Sequence, residues 1–208
     1  PREGPGERAR REARAGLYVH VPFCAARCAY CDFSSGVSSP DAIARYLGAL
    51  EREIALRAPA CGGMRFSSVF SGGGTPSVLG ARDFRRVWRA LSAAFEIEPG
   101  AEITLEANPE SVHPARLEAW AAAGVNRLSL GVQSFVPEEL EALGRIHDAE
   151  RPAAAVALAR AGGFRRISLD LMFGLPGATA AGWGRTVAAA VALEPEHLSA
   201  YCFTAEPG

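Results

Sequence analysis

The stretch Leu17-Tyr18-Val19-His20-Val21-Pro22-Phe23-Cys24-Ala25-Ala26-Arg27-Cys28-Ala29-Tyr30-Cys31 decides the fold. Leu17 to Val21 is a short apolar, β-branched run of the kind that forms a buried strand, and Pro22 ends it. A dinucleotide-binding open sheet would carry G-x-G-x-x-G directly after its first strand; here three cysteines stand in that place, and the Gly-rich segment waits until after the second strand. Outward from this stretch, five more strand-like runs follow: Ser67 to Ser71, Glu102 to Glu106, Arg127 to Val132, Arg166 to Met172 and His197 to Phe203. Helical segments separate them. Behind Ser39-Pro40, the segment Asp41 to Arg57 repeats Ile43, Leu47, Leu50 and Ile54 at helical spacing. The next puts Phe84, Val87, Trp88, Leu91 and Phe95 on one face and is expected to end near Pro99, and a third opens at Pro114 and stops at Gly124. A short helix from Pro137 to Leu143, a longer one from Ala149 to Ala161 and an Ala-rich one from Thr179 to Leu193 complete the order.

Strand and helix thus alternate strictly, with a sixth strand at the end, which predicts a parallel sheet with right-handed crossovers. Each strand is followed by polar or Gly-rich residues: the cysteines, Gly72-Gly73-Gly74-Thr75-Pro76, Glu106-Ala107-Asn108-Pro109, Gln133-Ser134, Asp170 with Gly174-Leu175-Pro176-Gly177, and Thr204-Ala205-Glu206-Pro207. Polar groups recurring at the C-terminal ends of successive strands are the signature of a βα barrel with a single mouth. The expected fold class is therefore α/β, a partial, open βα barrel of six parallel strands.

Composition narrows the function classes. The 208 residues carry 22 Lys+Arg against 23 Asp+Glu, a net charge of -1, so no global field favours nucleic acid or an acidic membrane. Every basic residue is Arg, which removes Schiff-base and P-loop lysine chemistry. Five cysteines are an odd number, and three crowded into Cys24 to Cys31 are poorly spaced for disulfides, so a reducing, cytoplasmic setting is expected. Residues 1–15 contain no apolar signal segment and read as a disordered, solvated leader, and 16–208 as one core domain. No transmembrane run is present. The chain begins at Pro1 without Met and stops at Gly208 just after a strand-like run, and is expected to be part of a longer protein with a further C-terminal domain.

The spacing C-x-x-x-C-x-x-C delivers three thiolates from one loop, suited to a cubane iron–sulfur cluster with one iron left without a protein ligand. A structural zinc site is the alternative; it wants four ligands, and His20 is the candidate for the fourth. Cys61 and Cys202 are assigned to ordinary packing or exposure.

The segment Tyr18 to Phe33, ending Cys28-Ala29-Tyr30-Cys31-Asp32-Phe33, resembles the cluster loop of radical S-adenosylmethionine (SAM) enzymes. More narrowly, it is similar to the branch that holds the oxygen-independent coproporphyrinogen III oxidases and the HemW-type heme chaperones. The likeness extends through Gly72 to Ser77, Glu106 to Pro109, Asn126 to Phe135, Gly144-Arg145-Ile146-His147, Asp170 to Gly177 and Glu206-Pro207-Gly208. It implies a radical SAM core in which Cys24, Cys28 and Cys31 hold a [4Fe-4S] cluster and SAM binds the fourth iron. It also implies SAM contacts at Tyr18, Tyr30, Gly73, Gly74, Thr75, Glu106, Gln133, Arg145, Asp170 and Thr204. Glycines there let backbone N–H groups approach a carboxylate closely.

The oxidases carry a further cysteine two residues after the third; here that position is Phe33. The resemblance therefore implies a heme chaperone, with the cluster and SAM as cofactors, heme as cargo and an acceptor protein as partner. The alternatives are a radical SAM oxidoreductase performing oxidative decarboxylation of a porphyrinogen, and a zinc-stabilised domain without redox chemistry. None of His20, His113, His147 and His197 forms a heme-ligand constellation; His147 is expected to support the SAM-side loop and His197 to cap or pack.

Overall fold

A computed structural model describes residues 14–26, 28 and 30–204. The expected leader up to residue 13 and the closing Glu206-Pro207-Gly208 lie outside the described residues. Arg14 and Ala15, which the sequence reading placed in the leader, instead open the first strand.

Six strands form the main sheet: β1 Arg14–Val21, β2 Arg65–Gly73, β3 Glu96–Ala107, β4 Arg127–Gln133, β5 Arg166–Phe173 and β6 His197–Cys202. Among the described residues, six α-helices connect them: α1 Pro40–Arg57, α2 Ala81–Ala94, α3 Pro114–Ala122, α4 Pro137–Ala142, α5 Arg151–Ala161 and α6 Ala180–Ala192. All strand pairs are parallel, and the sheet order is the chain order from β1 to β6. An open doubly wound sheet reverses direction once and exposes a switch point. Here the order never reverses, so successive right-handed crossovers put the helices on one side and the sheet curls into an open half-barrel.

Strand parity sorts the side chains. Leu105 on β3, Leu128 and Leu130 on β4, and Ile167, Leu169 and Leu171 on β5 are almost wholly buried against the helices, which contribute Leu47, Phe84, Leu91, Leu117, Trp120 and Ala155 to the same core. The alternate members, Glu106, Ser129, Gly131, Gln133, Asp170 and Met172, face the inner side and reach a cavity at the strands' C-terminal ends. Serine and threonine hydroxyls start two of the helices. Ser39 Oγ accepts from Ala42 N at 3.2 Å for α1, and Thr179 Oγ1 accepts from Gly182 N at 3.0 Å for α6.

Two local features differ from the sequence reading. The helix expected to run to Pro99 ends at Ala94, because Phe95 turns extended to pack in the core and Glu96 and Ile97 pair with Arg65 and Phe66. Pro99-Gly100 then sits in the register shift opposite Phe66 to Ser68, where a missing N–H and a φ of +82° do no harm to the ladder. The cysteine loop, read as irregular, is closed at its base by a two-residue parallel pair, Phe23–Cys24 with Gly36–Val37. Among the described residues, no helix is long and apolar enough to cross a membrane.

Candidate cofactor-binding site

A cavity of about 380 Å³ opens at the C-terminal ends of the strands, a size within the ordinary range for small-molecule sites. Cys24, Cys28 and Cys31 all lie on its wall as half-buried free thiols. Two side chains from distant parts of the chain reach the loop. The Thr75 hydroxyl donates to Cys24 Sγ at 3.5 Å, and the Arg145 guanidinium donates to Cys28 Sγ at 3.6 Å. Within the loop, Cys31 N donates to Cys28 O at 3.2 Å. Among the described residues, no three His, Cys, Asp or Glu side chains are drawn together at metal-binding distance. The three thiols share one wall of the cavity, and metal binding is coupled to the local ordering of its ligands. His20, weighed above as a fourth zinc ligand, turns elsewhere: its Nε2 donates to Ser34 O at 2.9 Å and its Nδ1 faces the Tyr18 hydroxyl at 3.4 Å.

The glycine turn after β2 is dictated by close approach. A Cβ on Gly74 would lie 2.6 Å from Phe23 O and 2.9 Å from Phe23 N, both backbone atoms that cannot yield. Thr75 N donates to Phe23 O at 2.6 Å, so the turn is stitched to the start of the cysteine loop. Gly73 has φ +109°, a region reserved for glycine, and its N–H donates to Glu106 Oε2 at 3.2 Å.

Of the sequence-expected contacts, Tyr30, Gly74, Thr75, Glu106, Gln133, Arg145, Asp170 and Thr204 line the cavity. Tyr18 and Gly73 do not: Tyr18 is exposed on β1 with its ring stacked on Phe70 at 6.0 Å, and Gly73 acts on Glu106 from behind. Burial, then the charge of Asp170, pushes the Glu106 carboxyl up to about 7, although the Gly73 N–H draws it the other way. Burial also raises Asp170, against the Ser129 hydroxyl that donates to its Oδ2 at 3.0 Å. Burial dominates at Tyr30 as well, whose phenol is pushed well above its ordinary range.

Arg145 is a cation fixed on the cavity wall. Its Nη2 donates to Asn108 Oδ1 and Gly131 O, each at 2.8 Å, while its buried Nε has no partner among the described residues. Gln133 has φ +68°, one of two non-glycine residues with positive φ among the described residues, and Ser134 N donates back to Val132 O at 2.9 Å. This is the rarer, strained form of γ-turn, worth about 1–3 kcal/mol of local strain, and such strain gathers at ligand sites.

Several cavity residues escaped sequence reasoning. Asn108 ties Arg145 to the Thr75 hydroxyl, donating to it at 3.5 Å, and Ser129 holds Asp170. Cys202, assigned above to ordinary packing or exposure, is exposed at the end of β6 on the same cavity wall as the three loop cysteines. Strand parity could have found Ser129, two residues before Gly131 on the inner face; Asn108 was marked only as part of the polar run after the third strand, and nothing local marks Cys202. The donor set fits an iron–sulfur cluster with a polar organic ligand. Three soft thiols stand beside a cation, two carboxylates and a glycine turn too tight for a side chain.

Residues 18–190 match the Radical SAM superfamily. The chain is 42% identical over 199 residues to the heme chaperone HemW of Mycobacterium tuberculosis, covering 93% of this chain and 50% of that protein. It is 39% identical to the oxygen-independent coproporphyrinogen III oxidase of Bradyrhizobium diazoefficiens, over 94% of this chain and 44% of that protein. Its structure overlays coproporphyrinogen III oxidase HemN from Escherichia coli with a TM-score of 0.88 at 35% identity, over 96% of this chain and 46% of that one. The chain thus spans about half the length of the curated relatives it matches. With the cysteine loop, the glycine turn and the half-barrel already in place, the match over residues 18–190 settles the family: this chain belongs to the radical SAM superfamily.

Proposed function

We propose that this chain is the cofactor-binding core of a HemW-type heme chaperone, which binds a [4Fe-4S] cluster and SAM and passes heme to an acceptor protein in the cytoplasm. The observation that carries the reading is Phe33. It occupies the position two residues after Cys31 where the oxidase pattern has another cysteine, and it is 62% exposed on the cavity wall. Relatives named heme chaperone HemW in Mycobacterium tuberculosis, Haemophilus influenzae, Escherichia coli and Bacillus subtilis, at 37–42% identity, support it. The core domain is read from Arg14, where β1 opens, rather than from residue 16, and heme is expected to be held with help from the part of the longer relatives that this chain does not span.

Cys24, Cys28 and Cys31 would hold the cluster, and Tyr18, Tyr30, Gly73, Gly74, Thr75, Glu106, Gln133, Arg145, Asp170 and Thr204 would hold or shape the place for SAM. When bound, a cluster of this type supplies a one-electron reductant and an iron coordination site. The chain's own residues do the rest. The Gly74 turn packs on the Phe23 backbone and so fixes the cysteine loop beside the cavity, Arg145 can pair with a carboxylate, and Glu106 and Asp170 offer acceptors to an ammonium or a ribose hydroxyl. Burial of these groups in one cavity limits water.

The test is a heme titration of the anaerobically reconstituted full-length protein, with and without SAM, beside an assay for protoporphyrinogen formation from coproporphyrinogen. Stoichiometric heme binding without porphyrinogen turnover is expected. Steady turnover would replace the chaperone reading with the oxidase one, which the likeness to HemN of Escherichia coli keeps as the second reading.

A further inference from the structure

The cavity wall at Gln133 is strained, and its support comes from outside the cavity. Val132 is the extra residue in the β4–β5 register, between Gly131 paired with Asp170 and Gln133 paired with Leu171. Its carbonyl receives the Ser134 N–H that closes the tight turn, and a second donor arrives from His147, whose Nε2 lies 3.2 Å away. A carbonyl only accepts, so this nitrogen donates, and a charged carboxylate on the other side requires Nδ1 to donate as well, so the bridge uses both ring N–H groups. On its other side the ring presents Nδ1 to Glu110 Oε2 at 3.4 Å, in the short turn Pro109–Ser111 after β3. The His147 side chain is wholly buried, and among the described residues neither Nδ1 nor Glu110 Oε2 makes a hydrogen bond, so the charge contact between them at 3.4 Å is what each of these buried atoms has.

We propose that His147 is a positioning residue: its imidazole bridges the Val132 carbonyl to the Glu110 carboxylate and so locks the Gln133 turn in its cavity-facing conformation. The bridge spans two strand ends, since Glu110 follows β3 and Val132 closes β4. The neighbouring charges brace both ends. Arg145 binds Gly131 O and Asn108 Oδ1 at 2.8 Å each, and Arg151 at the start of α5 donates to Pro109 O at 3.1 Å and Val112 O at 2.7 Å. Asp148 in turn accepts from Arg151 N at 2.9 Å. Burial alone would raise Glu110; the His147 imidazole, its own backbone and Arg145 outweigh that and hold its carboxyl below the usual range, as expected of a carboxylate kept charged against the ring. The arrangement explains why the chain places a histidine two residues after Arg145: the arginine reaches into the cavity while the histidine holds the wall behind it.

The consequence for SAM rests on the cofactor reading above; the consequence for the turn does not. The experiment uses the full-length protein and reads both, by amide hydrogen exchange at Ser134 without cofactor and by SAM affinity after cluster reconstitution. His147→Ala is expected to speed exchange at Ser134 and weaken SAM binding, each about tenfold, the scale of one lost buried hydrogen bond, with exchange in β1 and β2 unchanged. His147→Gln, which keeps an N–H for Val132 O, is expected to restore most of both. Should His147→Ala fail to fold, Glu110→Ala reads the same bridge from its other end and is expected to give a several-fold change in both. Unchanged Ser134 exchange in a folded His147→Ala or Glu110→Ala protein overturns the proposal, as does a loss in His147→Gln as large as in His147→Ala. If wild-type protein fails to bind SAM while Ser134 exchange still responds, the cofactor reading falls and the positioning role stands.

Discussion

Glu106 shows how one residue can oppose stability to binding. Its carboxyl is pushed up to about 7 by burial and by Asp170, against an ordinary value of 4.5, so the folded protein prefers it neutral. Its contribution to stability is fully present below pH 4.5 and is lost as pH rises through 7. An ammonium ligand wants the opposite, the ionised form. SAM affinity is therefore expected to strengthen as pH rises towards 7 and level off above it, with a loss of roughly tenfold per unit below. Calorimetric titration across that range checks this, and Glu106→Gln should flatten the profile; an unchanged profile in that variant would assign the dependence to another group. Gly74 makes the complementary point about shape. Gly74→Ala would force a Cβ to 2.6 Å from a backbone carbonyl, so the chain should lose about 1–3 kcal/mol in denaturant unfolding.

At the scale of elements, helix starts should respond locally. Removing the Thr179 hydroxyl leaves Gly182 N without its acceptor at the head of α6, and Thr179→Ala is expected to cost about 1 kcal/mol, read as a lower denaturant midpoint at constant slope. The caps, the strands and the sheet order were legible in the sequence because each rests on neighbours along the chain. Ser39 precedes its own helix, and Leu128, Leu130 and Val132 alternate with Ser129, Gly131 and Gln133. What was not legible rests on partners far away in sequence. Phe95 leaves its helix because Phe66 receives it edge-on at 5.5 Å. Tyr18 leaves the cavity because Phe70 offers a stacking face across the β1–β2 ladder. Asn108 becomes part of the site only once β4 and the Arg145 segment are laid beside it. The resemblance named the cluster loop and the glycine turn, yet it carried no information on the two-residue pair that closes the loop's base.

For the whole molecule, parallel winding is what brings the site together, since all six strand ends open on one side. That places Cys202 at the end of β6 on the same wall as Cys24, Cys28 and Cys31, and so poses a question about which thiols hold a cluster. Two arguments favour the loop three. They come from a single short segment, and two of them receive donors, Cys24 from the Thr75 hydroxyl and Cys28 from the Arg145 guanidinium. Cys202 instead remains exposed at the end of β6, with its Sγ 3.5 Å from Phe203 O. Iron and acid-labile sulfide measured on anaerobically reconstituted full-length protein should therefore fall to background in Cys28→Ser and stay at the wild-type level in Cys202→Ser. The reverse pattern, or a residual cluster in Cys28→Ser that vanishes when Cys202 is also replaced, would make the β6 thiol a ligand. In that event Cys24, Cys31 and Cys202 would be the three ligands, and one iron would still be left for SAM.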